Sequence, residues 1–478
     1  MENDVDVLII GAGVVGCAIA ARLSLDDVTV AVVERRHDVV DETSKSNTGV
    51  ADCGWDCEPG TLETELVRRS SPRWEEISER FDAPFRRCGG VCVARTEDDL
   101  TRLDQIAASA QSIGVRTTRL TGEEARDRAP CLGDEVVGAL HVPDEGVIDS
   151  IRLTLGYAEL AARNGAHFYL SCPLTGANVT NRHIRDAHTS QRTFSPRFVV
   201  NAGGLGADTV SHLLGAEDFQ VWPRRGEYLL VDREFGSHIP CVISQVPTAT
   251  TRGVMIVPST HGSVLLGPTA EDDTDKNDRS THWEILEQVR QRCVELVPGL
   301  SQAPVIKSFT GLRPASDRTY RVEASSQVDN LVQACGIRST GVSSSPAVGD
   351  YVRDILIDLG LRCRPRSGAI HRIPRRPRPL LEDLSCESSA EAAFGRIVIC
   401  ACEKVTAREI HDAMTSVVPA RSVAGIAKRT RATWGRCQGS ACLSGVLFIA
   451  SLYHDGEPWS IPMGEPGATL GVGMASSA

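Results

Sequence analysis

The sequence contains no hydrophobic run that approaches the ~20 apolar residues needed to cross a bilayer. It also lacks a basic surplus: the net charge is −11, which gives no reason to expect a nucleic-acid partner. The first residues are acidic and lack the basic start and cleavage site of a secretory signal. We therefore expect a cytoplasmic protein that reaches a membrane only peripherally, through a partner.

What is present is typical of a soluble globular protein. The 478 residues are too many for one ordinary domain and predict two or three compact units. Hydrophobic residues make up 41% of the chain and charged residues 24%, which fits that class. Most of the 16 cysteines sit singly in apolar or irregular stretches, as reduced buried thiols do, and four form a pattern.

The N-terminus predicts a dinucleotide site. Val5–Ile10 reads as a buried strand, and Gly11, Gly13 and Gly16 lead from it into a helical run, Cys17–Leu23. Gly11 permits the tight turn and Gly13 lets a pyrophosphate approach the backbone. Gly16 lets helix and strand pack closely, with the helix N-terminus facing the phosphates.

An acidic residue completes this signature. A second strand, Val28–Val33, ends at Glu34, whose carboxylate can accept hydrogen bonds from the ribose hydroxyls. It would repel a 2'-phosphate, which argues against NADP despite Arg35 and Arg36. The signature alone does not separate FAD from NAD.

Further motifs follow the acid. They are Thr43–Val50 (TSKSNTGV), Val200–Gly204 (VNAGG), Gly311–Pro314 (GLRP) and Gly336–Gly341 (GIRSTG). In that order they resemble the D-amino-acid-oxidase-like flavoprotein superfamily. Arg224–Asp232, Pro258–Gly262 and Gly267–Ala270 are similar to its glycerol-3-phosphate dehydrogenase branch, especially the anaerobic-type flavoprotein subunit. The likeness extends to about residue 455, and 2-hydroxyglutarate oxidases are further relatives.

The resemblance implies a fold of mixed class, α/β and α+β, over residues 1–360. A Rossmann-like FAD-binding domain would be assembled from about 1–85, 150–210 and 310–360. An interleaved mixed-sheet substrate domain, about 86–149 and 211–309, would cover the flavin.

The resemblance also implies the FAD-binding residues. It places the 43–47 loop beside the flavin and the 336–342 loop near the pyrimidine end, where small residues and amides can approach N1 and O2 as negative charge grows on reduction. The residues expected to bind the cofactor are Gly11, Gly13, Gly16, Glu34, Thr43, Ser44, Asn47, Ala202, Gly203, Gly336, Thr340, Gly341 and Val342.

On the substrate side, Arg313 occupies the position that in similar enzymes reaches the anionic group of the substrate. A guanidinium fork suits a carboxylate or a phosphate. Tyr228 and Glu227 lie on a predicted strand, Glu227–Val231, and either hold substrate or are a packed aromatic and a solvated acid. His261 is a candidate base or an ordinary turn histidine.

The chain departs from its relatives after the 43–47 loop. Where they usually carry His-Ala-Gly, it reads Val50–Gly54 (VADCG), so that Asp52 replaces the imidazole and Cys53 a small apolar residue. A carboxylate there disfavours an anionic substrate or an anionic reduced flavin. We therefore include Asp52 among the candidate catalytic residues. Its negative charge also makes a cationic amine a plausible substrate.

Arginine and proline crowd residues 362–378, which predicts an extended linker, taken as 361–395. No aromatic residues are interleaved to stack on bases, so a nucleic-acid patch is not expected. Beyond it, Cys400 and Cys402 are separated by 34 residues from Cys437 and Cys442. A helix from the capping box at Thr406, another from Ser422 and a third after Cys442 are predicted to bring these pairs together.

Residues 396–455 resemble the bacterioferritin-associated-ferredoxin-type [2Fe-2S] domain, which implies a small helical module with the four cysteines as cluster ligands. Gly435 and Gly439 leave backbone room around the sulfurs. Four thiolates also suit zinc, but the C-x-C spacing and an attached flavin favour iron. Residues 456–478, rich in glycine, proline and serine, are expected to be loose.

The sequence thus predicts an FAD-dependent dehydrogenase that oxidises a small anionic substrate, of the glycerol 3-phosphate or 2-hydroxy acid class. Electrons would pass through a [2Fe-2S] cluster to a second flavoprotein, to another electron-acceptor subunit or to quinone. Two alternatives stay open. One is a dehydrogenase subunit for an amine or amino-acid (opine-type) substrate, and the other is an electron-transfer subunit that turns over no substrate.

Overall fold

The computed structural model describes residues 4–247, 253–376, 395–453, 457–464 and 467–470. The strands are β1 Val5–Ile10, β2 Val30–Val33, β3 Val50–Ala51, β4 Phe85–Arg86, β5 Gly90–Ala94, β6 Thr118–Thr121, β7 Gly138–Val142, β8 Gly146–Ile148, β9 His167–Tyr169, β10 Leu174–Thr180, β11 His183–Thr189, β12 Thr193–Phe194, β13 Pro196–Asn201, β14 Val221–Val231, β15 Val242–Gln245, β16 Met255–Pro258, β17 Val264–Gly267, β18 Glu271–Asp272, β19 Val305–Ser316, β20 Arg321–Ala324, β21 Leu331–Cys335, β22 Val398–Cys400 and β23 Val405–Thr406. The α-helices are α1 Val14–Leu23, α2 Leu62–Ser70, α3 Trp74–Arg80, α4 Glu97–Ser112, α5 Gly122–Arg128, α6 Ser150–Arg163, α7 Ala207–Leu213, α8 Trp283–Leu296, α9 Gly341–Asp358, α10 Ala407–Thr415, α11 Val423–Thr430 and α12 Leu443–Ser451.

The first sheet is the Rossmann-like layer that the sequence predicts. Its order is β20-β21-β13-β1-β2-β9, with β20 antiparallel and the other neighbours parallel. Val7 and Ile9 of β1 pack with α1, α6 and α9, whereas Leu8 and Ile10 pack against the small sheet β10-β11-β12. Both faces of β1 are therefore covered, which explains its nearly continuous apolar sequence.

The second sheet carries the substrate side. Its path is β18-β14-β17-β16-β15-β5-β7-β6, and β19 pairs with β14. β14 begins at Val221, earlier than the predicted start at Glu227, and pairs with β19 along nearly its whole length. β19 continues to Ser316, so this sheet extends into the stretch from 310 that we assigned to the FAD-binding part.

The C-terminal domain follows the sequence prediction closely. Thr406 and Glu409 form the predicted capping box of α10, and the Ser422 hydroxyl caps α11. α10, α11 and α12 bury one apolar cluster that includes Cys400 and Cys442. In the parts of the chain that the structure describes, no helix is long and apolar enough to cross a bilayer.

Two segments that we expected to be irregular make more contacts than the sequence suggests. Residues 361–376 lack regular structure, as predicted for the linker, but they lie on the FAD domain: Arg366 donates to the carbonyl oxygens of Ser24 and Val28, and Ile373 is buried. The bond of Arg366 to Ser24 satisfies a carbonyl at the C-terminal end of α1, and its bond to Val28 reaches the loop between α1 and β2. In the tail, Ile461 is also buried. Residues 377–394, 454–456, 465–466 and 471–478, which complete the predicted linker and tail, lie outside the described residues.

Candidate active site

A cavity of about 430 Å³ lies between the two large sheets. Its wall contains most of the residues that the sequence predicted for the cofactor and the substrate. These are Gly11, Gly13, Glu34, Thr43, Ser44, Asn47, Asp52, Ala202, Gly203, Tyr228, Arg313, Gly336, Thr340, Gly341 and Val342. They come from distant parts of the chain, so the fold gathers them at one site.

The glycine turn between β1 and α1 has no room for side chains. Gly11 has φ +108°, and a Cβ there would collide with the carbonyl of Ala202. A Cβ at Gly16 would collide with the carbonyl oxygen of Gly11, so glycine here lets α1 pack closely on the turn. Gly16 itself does not line the cavity. The backbone at this turn is therefore open to a pyrophosphate at the N-terminus of α1.

Glu34 stands at the end of β2, beside this turn. Its Oε2 accepts a hydrogen bond from Ala12 N at 2.8 Å, and its Oε1 accepts one from Arg36 N at 2.9 Å. Burial raises the pKa of Glu34, and the two backbone donors oppose that rise. The carboxylate is thus held in one orientation on the cavity wall, as ribose recognition requires.

The 43–47 loop is organised by its own side chains. The Thr43 hydroxyl donates to Leu312 O at 2.6 Å, and the Ser44 hydroxyl accepts from Val14 N at 2.9 Å. Asn47 Nδ2 donates to the carbonyl oxygens of Thr43 and Ser44. These bonds tie the loop to α1 and to β19, so it forms a fixed wall on which a planar ring can lie.

The N-terminus of α9 also lines the cavity. Gly336 has φ +66° and Thr340 donates to Glu63 Oε1 at 2.6 Å, after which α9 begins at Gly341. The amide ends of an 18-residue helix favour negative charge. This end therefore suits the ring edge that becomes negative when a flavin is reduced.

Tyr228 and Arg313 reach the cavity from β14 and β19. The ring of Tyr228 stacks on Phe309 with centroids 4.8 Å apart, and burial raises the pKa of its phenol. Arg313 Nη2 donates to the carbonyl oxygens of Thr269 at 2.5 Å and Arg225 at 3.2 Å. A guanidinium held by backbone oxygens is a rigid cation on this wall.

Two buried carboxylates lie on the same wall. Asp52 is 2% exposed and its Oδ1 accepts from Gly54 N at 2.7 Å. Glu145 is 3% exposed and accepts from the indole of Trp55 at 3.4 Å. Sequence reasoning found Asp52 but missed Glu145 and Trp55, because no local motif marks them and only the tertiary fold brings them to the cavity.

Glu227 and His261 are not on the cavity wall. Glu227 is fully buried between Arg225 Nε at 3.2 Å and His282 Nδ1 at 2.7 Å. Successive residues of a strand point to opposite faces, so Tyr228 faces the cavity and Glu227 faces away. The prediction of a substrate-binding or solvated Glu227 is therefore wrong. His261 Nε2 pairs with Asp149 Oδ2 at 2.7 Å and does not line the cavity, so the structure does not bring this candidate base together with the other site residues.

The four C-terminal cysteines come together as two pairs. Cys402 lies beside Cys437, and Cys400 lies beside Cys442. The amide of Ala441 lowers the pKa of Cys437 to about 7, whereas burial raises that of Cys442 to about 11.

Their arrangement bears on which metal they suit. Two pairs of thiols suit two irons with two thiolates each. A Cβ at Gly435 would collide with the Cβ of Cys402, so only glycine lets the backbone pass this close to that thiol.

Comparisons with known proteins agree with this geometry. The chain matches the family described as FAD dependent oxidoreductase over residues 6–355 and the BFD-like [2Fe-2S] binding domain over 398–449. A protein named glycerol 3-phosphate dehydrogenase from Caloramator mitchellensis is 32% identical over 99% of both chains. One of the subunits of the anaerobic glycerol-3-phosphate dehydrogenase of Escherichia coli is 23% identical, over 91% of this chain and 86% of its own.

The solved structures point the same way. L-α-glycerophosphate oxidase from Mycoplasma pneumoniae, with FAD bound, superposes with a TM-score of 0.72 at 25% identity, over 78% of this chain and 99% of that one. Glycine oxidase from Bacillus cereus gives a TM-score of 0.67 at 26% identity, over 74% and 95%. The family matches confirm the predicted FAD and [2Fe-2S] cofactors. The chain belongs to the FAD dependent oxidoreductase family and carries a BFD-like [2Fe-2S] binding domain at its C-terminal side.

Proposed function

We propose that the protein is a dehydrogenase that oxidises the CH-OH carbon of a small acid of the glycerol 3-phosphate or 2-hydroxy acid class. One observation carries the proposal: Arg313 presents a fixed cation beside Tyr228 on the wall of the same cavity that contains the glycine turn and Glu34. A cation so placed can orient an anionic substrate against a flavin ring. Relatives named for glycerol 3-phosphate and for L-2-hydroxyglutarate support this class.

When bound, FAD supplies a two-electron oxidant that takes a hydride from the substrate carbon. Arg313 holds the anionic group, and its bonds to the carbonyl oxygens of Thr269 and Arg225 keep the guanidinium in place. Tyr228, stacked on Phe309, forms an apolar wall that excludes water from the reacting carbon.

Asp52 accepts the hydroxyl proton in this proposal. Its carboxylate is buried on the cavity wall and its Oδ1 is fixed by Gly54 N, so it is oriented without being exposed to bulk water. As the proton moves from the substrate oxygen to Asp52, the hydride leaves the carbon and a carbonyl forms. The imidazole that usually stands in this stretch of relatives is thereby replaced by a carboxylate base.

In this proposal Cys400, Cys402, Cys437 and Cys442 would hold a [2Fe-2S] cluster. The cluster would supply a one-electron exit from the flavin, which an oxidase reacting directly with oxygen would not need. Two relatives are named as subunits of anaerobic glycerol-3-phosphate dehydrogenases, which supports a partner protein as the acceptor.

A second candidate is oxidation of an amino acid at its CH-NH bond. Asp52 and Glu145 favour it, because two buried carboxylates stabilise an ammonium group while Arg313 holds the carboxylate of the same molecule. A phosphate dianion is less well matched to this wall, since nearby buried carboxylates raise its electrostatic free energy.

Anaerobic bleaching of the flavin absorbance tests both candidates. Purified holoprotein is mixed in turn with glycerol 3-phosphate, L-2-hydroxyglutarate and a panel of amino acids, and the rate of bleaching is measured. Bleaching by a hydroxy acid or by glycerol 3-phosphate supports the first function, and bleaching by amino acids alone supports the second. If no compound bleaches a flavin that dithionite reduces, both are contradicted and the chain serves only in electron transfer.

A further inference from the structure

The [2Fe-2S] domain is joined to the FAD domain by a buried ionic contact. Two adjacent residues at the end of α11, Lys428 and Arg429, enter the loop that follows β2. Arg429 binds Asp38 through both of its terminal nitrogens, at 2.8 and 3.0 Å. Lys428 Nζ lies 3.0 Å from Asp41 Oδ1 and donates to Val39 O at 2.9 Å. We call Asp38, Asp41, Lys428 and Arg429 the docking cluster.

The burial of these charges makes the contact strong. The side chains of Arg429 and Lys428 are 0% and 2% exposed, and that of Asp38 is 2% exposed. Burial alone would raise the pKa of Asp38, but Arg429 and Lys428 lower it to about 2. Removing one partner of such a set leaves a buried charge without compensation, which is far more costly than losing a surface pair.

The loop that carries Asp38 and Asp41 also forms part of the FAD site. Val40 N donates to the carbonyl oxygen of Ala12, within the glycine turn. Asp41 pairs with Lys45 at 2.9 Å, and Thr43 and Ser44 between them line the cavity. One short segment therefore contacts the cofactor site on one side and the [2Fe-2S] domain on the other.

We propose that the docking cluster positions the [2Fe-2S] domain in response to FAD. Bound FAD would restrain the segment from Asp38 to Ser44 further than its own hydrogen bonds do, and the restrained segment would present Asp38 and Asp41 to α11. Because coupling between two binding events is reciprocal, docking of α11 must in turn strengthen FAD binding. Lys428 and Arg429 are thus positioning residues for a cofactor that they do not touch. The inference depends on the two cofactors and not on the identity of the substrate.

A second contact lies nearer the cluster ligands but is more exposed. Arg436 pairs with Asp232 at 2.7 Å, and Glu403 pairs with Arg233. The side chains of Arg436 and Arg233 are 56% and 42% exposed, so water and salt screen these pairs. The docking cluster, not this surface contact, is therefore expected to carry the coupling.

Hydrogen exchange on the full-length protein tests the proposal without a substrate. Exchange of the α11 amides, residues 423–430, is measured with and without FAD, and α8 in the substrate domain serves as the reference. We expect FAD to slow exchange in α11 at least ~5-fold, the lower end of typical coupling, and to slow it more than in α8. Equal slowing in both helices, or none in α11, would overturn the proposal.

The variant Arg429→Met supplies the reciprocal measurement. Titration of apoprotein with FAD, followed by flavin fluorescence, is expected to give a Kd at least ~5-fold higher than wild type. Asp26→Asn is the matched control, because Asp26 is also buried and pairs with Arg353 at 2.5 Å inside the FAD domain. It should lower thermal stability but leave the effect of FAD on α11 intact. An unchanged Kd in Arg429→Met would contradict the proposal, and if that variant does not fold, the wild-type exchange experiment decides alone.

Discussion

Arg313 lies directly opposite Arg224 in the ladder between β19 and β14, and its Nε donates to the carbonyl oxygen of Arg224 at 3.2 Å. The two arginine side chains have different surroundings. Arg224 pairs with Asp272 at the protein surface, whereas Arg313 lines the cavity. The pair therefore offers a substrate-binding candidate and a control on neighbouring strands.

Arg313→Lys is expected to reduce kcat/KM for an anionic substrate by about 10- to 100-fold, the equivalent of losing one hydrogen bond to a charged group. Lysine keeps the charge but not the fork, and it cannot make the same bonds to the Thr269 and Arg225 carbonyls. Steady-state dye reduction measures the effect, which should appear mainly in KM. Arg224→Lys should leave kcat/KM unchanged. If it lowers kcat/KM as much as Arg313→Lys does, the loss comes from disturbed pairing of β14 with β19 and not from the cation in the cavity.

Asp52→Asn removes the proposed proton acceptor with almost no change of shape. The amide oxygen can still accept from Gly54 N, so the local fold is kept. We expect kcat to fall by about 10²- to 10⁴-fold, the usual contribution of a general base, while the flavin spectrum stays unchanged. Rapid-mixing measurement of flavin reduction isolates this step, and a variant that reduces its flavin at the wild-type rate would rule out Asp52 as the base.

Gly16→Ala is expected to abolish FAD binding. The added Cβ meets the carbonyl oxygen of Gly11, a backbone atom that cannot move aside without displacing α1 from the turn. The variant should purify without the flavin absorbance. Gly176→Ala in β10 is the control, since a Cβ there meets nothing within 4 Å. A yellow Gly16→Ala protein would contradict the close packing described here.

Cys402→Ser is expected to remove the [2Fe-2S] cluster but leave the FAD site intact. Iron should fall from about two per chain, the content of this cluster type, to a trace. Substrate should still bleach the flavin, whereas transfer of electrons beyond the flavin should stop. Cys131→Ser, at a half-buried cysteine of the substrate domain, should change neither cofactor. Normal iron content in Cys402→Ser would show that this thiol is not a ligand.

The sequence predicted those parts of the site that are local in the chain. Gly11, Gly13 and Glu34 were found because strand, turn, helix and acid follow one another within 30 residues. Tyr228 and Glu227 could not be told apart, because a shift of one residue exchanges the two faces of a strand. Glu145 was missed altogether, since its turn after β7 reaches the cavity only through the pairing of β5 with β7.

The contact between the domains was equally invisible in the sequence. Asp38 reads as one more polar loop residue and Arg429 as a basic residue at a helix end, and nothing local links positions 391 residues apart. The small size of the C-terminal domain suggested an appendage on a linker. Its ion pairs with the FAD domain are buried, so one face of the small domain packs against the FAD domain and is shielded from solvent.

The docking cluster should also give the stability of the protein a defined pH dependence. The folded-state pKa of Asp38, about 2, lies below its ordinary value of 3.8, so its contribution is present above pH ~4 and is lost as pH falls toward 2. A shift of that size corresponds to about 2 kcal/mol. Urea unfolding should therefore show that wild type has a higher free energy of unfolding than Asp38→Asn. This difference should be largest at pH 6 and should shrink below pH ~4. If the difference in free energy of unfolding stays constant down to pH 3, Asp38 is not held ionised by Arg429 and Lys428.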